Sequence, residues 1–257
     1  MKKLICVVLL CIGLIVTLAG CDADPNAEVY RAQNEEMLHS AIQNEVDSPT
    51  WVKNLPAAND DNNKQMIIVA GMGMDKTTAY VSMHRRDEQG NWKQYISTPG
   101  FIGENGMCLD EEHVKGSKKT PIGTFYIKRA FGIAPNPGCK MAYNCLRDVF
   151  YWSGDPAEGM RYNELVNTMQ IKNLNTEISK HIFDHEYAYQ FCFDIGFNEE
   201  ADPERDFGIF IHCLSPDKPY TDGGIAIPED IMKLATSNAL KGDVVIIDTA
   251  ENLGVEW

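Results

Sequence analysis

The residues best placed to do chemistry lie in one stretch, FGIFIHCLSPDKPYTDGGIAIPED, Phe207 to Asp230. Phe207, Ile209 and Ile211 alternate with Gly208, Phe210 and His212, an apolar and β-branched run that fits a strand in a well-covered sheet. His212 ends that run. By residue type alone it is a hydrogen-bonded core histidine; beside a cleft it would be a proton carrier. Cys213 follows it, but neighbouring strand residues point to opposite faces, so this thiol and imidazole are not expected to meet. Cys108, in a loop well upstream, is a still weaker candidate nucleophile. His181 and His185 are four apart, as two metal ligands on one helical face would be. The intervening Ile-Phe-Asp lacks the Glu of the zinc-protease motif, so both are read as surface or capping residues, and neither a metal nor a cofactor is assigned.

The elements that position His212 can be read around it. Pro216, Asp217, Lys218 and Pro219 force a turn after the strand. Thr221 and Asp222, the latter a turn former, then precede Gly223 and Gly224. Two glycines ahead of an apolar run call for positive φ or for backbone close to a ligand. Pro228, Glu229 and Asp230 open a helix, with proline tolerated in its first turn and acids favoured by the dipole.

This segment resembles the signature of the YkuD-type L,D-transpeptidase catalytic domain, an Ile-His-Cys-like strand end, a short loop, then Thr-x-Gly-Cys-Ile-Ala-Ile-Pro-Glu. His212, Thr221, Gly223, Ile225, Ala226, Ile227, Pro228 and Glu229 match it. Where the family carries its reactive cysteine, this chain has Gly224. A second point of resemblance is Lys119-Thr120-Pro121-Ile122-Gly123-Thr124-Phe125, like the family's Lys-Thr-Pro-x-Gly segment that enters a core strand beside the substrate cleft. The likeness covers about Gln65 to Asp248 and is loose between these two segments. It implies that His212 is the base, that Gly223 and Gly224 form the turn and the nucleophile position, and that Lys119, Thr120, Thr221 and Asp222 shape the substrate side. In such enzymes a cysteine thiolate attacks a peptidoglycan stem peptide, expels the terminal D-alanine and passes the acyl group to an amine on a neighbouring stem. Glycine has no side chain to attack with, so that route is expected to be closed here, and whether the chain is an enzyme at all stays open. Two readings follow from the resemblance: a protein that binds stem peptides without turnover, or an active transpeptidase or carboxypeptidase in which the glycine is an engineered or isolated change.

The 257 residues allow a signal segment, a tether and one domain of roughly 190 residues. Met1-Lys2-Lys3 and the apolar run Leu4 to Thr17 read as a signal peptide over 1–20, and Leu18-Ala19-Gly20-Cys21 as a lipobox with lipidation at Cys21. The expected location is the cell envelope, lipid-anchored on the extracytoplasmic face of the membrane. Residues 21–63 read as a tether with helical spacing between Ala27 and Val46, 64–250 as the domain and 251–257 as a tail. Beyond Gln65 the pattern is β: Met66 to Ala70, a hairpin of Thr77 to Arg85 and Trp92 to Ser97 about Asp87 to Asn91, Lys119 to Ile127, Tyr187 to Ile195 and Asp243 to Asp248, with a helix from Pro228 to Asn238. The expected fold is therefore mainly β with a few helices, and the resemblance implies a β-sandwich.

The net charge of −14 argues against nucleic acid as a partner, because that binding rests on Lys and Arg neutralising phosphates. The expected partners are stem peptides and, through Cys21, the membrane. Among the eight cysteines, Cys139 and Cys145 beside Pro137-Gly138 are the expected disulfide, and Cys192 and Cys213 are expected as inert buried thiols.

Overall fold

The apolar runs that alternate or persist over several residues become strands, and the pieces between them fold back to cover a single long sheet. The structure, a computed structural model, describes residues 27–256. The signal segment and Cys21 lie outside the described residues. Helix α1 (Ala27–Gln43) is followed by a short strand β1 (Val46–Asp47) and helix α2 (Thr50–Lys53). Strands β2 (Gln65–Gly71), β3 (Thr78–Arg86) and β4 (Trp92–Phe101) form a meander. Strands β5 (Met107–Leu109), β6 (Thr120–Tyr126), β7 (Arg129–Gly132) and β8 (Tyr143–Cys145) follow. Next come β9 (Phe150–Trp152), β10 (Leu165–Asn167), β11 (Lys180–His181), β12 (Cys192–Asp194), β13 (Phe210–Cys213) and β14 (Ile225–Ile227). Helix α3 (Glu229–Asn238) and β15 (Val244–Thr249) end the order. The described residues are thus mainly β with few helices, as the sequence implies.

Hydrogen bonding runs β5-β6-β15-β2-β3-β4-β14-β13-β12-β7-β8 in one mixed sheet, with β1 added beside β4 and with β9 between β10 and β11 in a separate small sheet. Ile67 and Val69 of β2 and Val245 and Ile247 of β15 share one apolar cluster with Phe193 of β12 and Ile211 of β13. Strands so far apart in one sheet share a core because the sheet bends over on itself. The opposite faces of β2 and β15, through Met66, Ile68, Val244 and Ile246, pack on Trp51 and Trp92. Burial on both faces is why these two strands read as continuous apolar runs rather than as alternation. The β3–β4 turn is held by Asp87, whose carboxylate accepts the N–H groups of Gln89 and Asn91 at 3.0 and 2.8 Å.

The stretch read as a tether is, over 27–63, packed onto the domain. Leu38 of α1 is buried in the main core, and Asn34, one turn before it, donates to the carbonyl of Pro137 at 3.0 Å. β1 pairs with β4, and Trp51 and Val52 of α2 are buried against β2. Ser48 bonds the ring of His84, a fully buried histidine on β3, at 2.8 Å, and Ser82 bonds its other nitrogen at 2.9 Å. Few apolar residues are needed to dock such a segment when its polar ones find partners. The C-terminal tail also packs: Leu253 is buried, and Val255 lies against the same cluster as Trp51.

Two smaller expectations change. The thiol of Cys139 is free, and no 139–145 disulfide forms. Cys139 packs against the main core, whereas Cys145 sits on β8 beside Gly132. Cys108 lies not in a loop but on β5, parallel to β6.

Candidate functional site

The site begins with the register of β13. That strand runs antiparallel to β12 and parallel to β14, which sets His212 opposite Cys192 on one side and Ala226 on the other. Alternation sends the Cys213 side chain into the main core, where its sulfur lies 3.6 Å from the Phe191 carbonyl and burial pushes the thiol up to about 12. It faces away from His212, as the sequence implies. The imidazole turns the other way. Its Nδ1 is 2.9 Å from the carbonyl oxygen of Cys213. A carbonyl only accepts, so Nδ1 carries the proton and Nε2 keeps its lone pair. Burial, then the nearby Lys180 and His185, pull the imidazole down to about 4, against the bond to Cys213 that favours its charged form. At neutral pH His212 is therefore a neutral ring with Nε2 as acceptor. The ring of Tyr189 meets it edge-on at 5.5 Å and fixes its plane.

Opposite Nε2 lies the double-glycine bend. The Thr221 N–H donates to Ile102 and the Glu104 N–H to Thr221, at 2.9 and 2.8 Å. The Thr221 hydroxyl donates to the Gly224 carbonyl at 2.6 Å and accepts the Gly223 N–H at 3.1 Å. From beneath, the Thr120 hydroxyl donates to the Gly223 carbonyl and accepts the Gly103 N–H, both at 2.9 Å. Gly223 has φ +115°, and a Cβ there would sit 2.9 Å from the Lys119 carbonyl oxygen and 3.0 Å from Ile209 Cδ1. Gly223→Ala should therefore cost about 2 kcal/mol or more in a denaturant titration, from left-handed strain plus the clash with Lys119. An unchanged midpoint would mean that the bend is not held as described.

Gly224 lies outside the left-handed range. A Cβ there would point at the imidazole, 3.0 Å from Nε2 and 3.1 Å from Cδ2, and 2.8 Å from the Phe210 carbonyl oxygen. The structure thus brings His212 and Gly224 face to face.

Both border a cleft of about 410 Å³ that Thr221 and Asp222 also line. Lys119 and Thr120 do not line it. Thr120 is fully buried, so its role is to strut the bend, and the carbonyl of Lys119 accepts the Nε2–H of His113 at 2.7 Å. His181 and His185 part company. His181 stacks on Tyr151 at 4.4 Å and bonds Asp184 and the Asp148 carbonyl at 2.8 and 2.7 Å, while His185 lines the cleft. Among the described residues no group of three or more metal-capable side chains is found.

Two cleft residues, Lys180 and Tyr189, carry no signal in the sequence that marks them as site residues, and His185, which its spacing from His181 singles out only as a metal candidate, joins them there. Lys180 reaches the cleft because β11 pairs with β9, with Lys180 opposite Trp152. That is a long-range pairing with no local motif.

No family model matches the chain, and no curated protein matches it. Among solved structures it is similar to the crystal structure of a fused Zn-dependent amidase/peptidase/peptidoglycan-binding domain-containing protein from Clostridium acetobutylicum. The identity is 13%, the TM-score 0.32, and the match covers 88% of this chain and 63% of that one, so the chain spans under two thirds of that protein's length.

Proposed function

We propose that this chain is a peptidoglycan-directed protein of the L,D-transpeptidase type that holds stem peptides in the His212 cleft without covalent turnover. The observation that carries the reading is the geometry at residue 224. A Cβ there would lie 3.0 Å from the lone-pair nitrogen of His212, where a base would meet its nucleophile, and the residue is glycine. Base, bend and hydroxyl struts are arranged as acyl transfer would use them, and residue 224 offers the base no group to deprotonate. Losing one member of a nucleophile–base pair removes catalysis on the order of 10⁴- to 10⁶-fold. Membrane attachment through a lipid on Cys21, at the outer face of the cytoplasmic membrane or beyond it, belongs to the same proposal and rests on the sequence of 1–21.

The test is incubation of the chain with disaccharide-tetrapeptide fragments. Calorimetry should show saturable binding, and mass spectrometry should show neither D-alanine release nor cross-linked dimers. Turnover by the unaltered chain would replace this reading with the second one, an active transpeptidase or carboxypeptidase using another group. The intact neutral base at His212 is the feature that favours that alternative.

A further inference from the structure

Lys180 is not explained by the fold. It is half-buried and lines the cleft, and among the described residues its ammonium forms no ion pair. One of its three hydrogens goes to the Gly208 carbonyl at 3.0 Å. The rings of Phe207 and Phe210 face Nζ at 5.8 and 5.5 Å, a cation–π arrangement that steadies a charge without neutralising it. Gly208 is shaped to this neighbour. Its φ is +64°, and a Cβ there would press on Trp152, on Phe210 and, at 3.3 Å, on Nζ itself. A half-buried cation in a cleft, with donors to spare and no ion-pair partner, is a group of the kind that marks binding sites.

The surrounding charges are mixed. Burial disfavours the charged form of Lys180 most, while Asp222 and Asp206 act on it from a distance and favour that form; Cys192, kept a neutral thiol by its own burial, adds no charge. His185 and His212, both lowered by burial, are neutral rings at neutral pH, and Lys218, Asp184, Glu186 and Asp217 also line the cleft. An anion within hydrogen-bond reach of Nζ would pair with the two hydrogens that the Gly208 carbonyl leaves free.

We propose that Lys180 sets ligand specificity in this cleft by receiving the free terminal carboxylate of a bound peptide. For the identity of the peptide this rests on the stem-peptide reading above. It predicts that a stem with a free carboxyl end is preferred over one whose end is amidated or extended.

The experiment is calorimetric titration of the full chain with a stem tetrapeptide and with the same peptide amidated at its last carboxyl. The free acid should bind roughly 10- to 100-fold tighter, the worth of a charge-assisted hydrogen bond in a buried site. Lys180→Met, which keeps the stem and removes the charge, should bind the amide as the unaltered chain does and the acid no better. In the unaltered chain the preference should fade as pH rises and Lys180 loses its proton, a readout that needs no variant to fold. Equal binding of acid and amide overturns the assignment, as does a preference that survives in Lys180→Met or at high pH; either leaves the stem-peptide reading standing. Should neither peptide bind, that reading fails by itself, and N-acetyl-D-alanine becomes the probe. Selective loss of Lys180 reductive methylation in its presence supports the carboxylate site, and unchanged labelling overturns it.

Discussion

Gly224→Cys should give this cleft a covalent acyl adduct that the unaltered chain never forms, and should lower its stability in doing so. The backbone at 224 is outside the left-handed region, so a side chain is conformationally allowed there. The built Cβ lies 3.0 Å from His212 Nε2, which places a sulfur within reach of the lone pair that would take its proton. The cost comes from the other neighbour. At 2.8 Å the Phe210 carbonyl is too close to any Cβ, and because it is backbone, β13 and the bend must move apart. Overpacking of this kind costs about 1–3 kcal/mol. Gly224→Ala should melt lower by a similar amount and stay inert, which separates the packing cost from the chemistry. Mass spectrometry after exposure to a carbapenem or a stem tetrapeptide should find one adduct in Gly224→Cys, and none when His212→Ala is added. A cysteine variant that is folded and alkylated by iodoacetamide, yet takes no acyl group, would mean that more than the nucleophile has been lost.

How far the sequence reveals this site depends on the distance over which each part is specified. The Thr-Asp-Gly-Gly bend, the strand ending at His212 and the helix opening at Pro228 are local patterns, and the structure places each within a few residues of where the residue types put it. The sequence also says that Cys213 faces away, because strand alternation needs no knowledge of the partner strand. Thr120 is different. Its segment is legible, but its role is not, since a threonine ahead of Pro121 looks the same whether its hydroxyl meets a ligand or the carbonyl of Gly223. Lys180 could not be found at all. What makes it part of the site is Trp152 across a strand pair and the Gly208 carbonyl, neither of them near it in the chain. The same reason hides the docking of 27–63. Its polar composition suggests mobility, yet Ser48, Asn34 and Trp51 are held by His84, Pro137 and the outer face of β2. Composition reports how much a segment can bury by itself, not what it meets.

The His84 contact carries the second large effect, a loss of stability in acid. His84 is fully buried between two serine hydroxyls, and burial takes its imidazole down to about 3. His212 is down to about 4, and His113 and His185 are lowered as well. In the unfolded chain these rings take up protons below about 6.5. Their contribution to stability is therefore complete above that pH and is lost as pH falls toward 4 and 3. Each such ring adds a slope of about 1.4 kcal/mol per pH unit in that window. Asp243 works the other way: burial raises its carboxyl to about 6, so its protonation on acidification favours the fold. With two or more histidines against one strongly raised carboxyl, the net change between pH 7 and pH 4.5 should be a loss of roughly 3 kcal/mol, a large part of the 5–15 kcal/mol of a typical domain. Urea titrations across this range measure it directly. His84→Gln should shift the whole curve but flatten its slope by about one proton near pH 5, whereas Asp243→Asn should steepen it. A stability that is level from pH 7 to 4.5, or a slope unchanged in His84→Gln, would show that the ring between Ser48 and Ser82 is protonated in the fold and that the N-terminal segment is held there by something else.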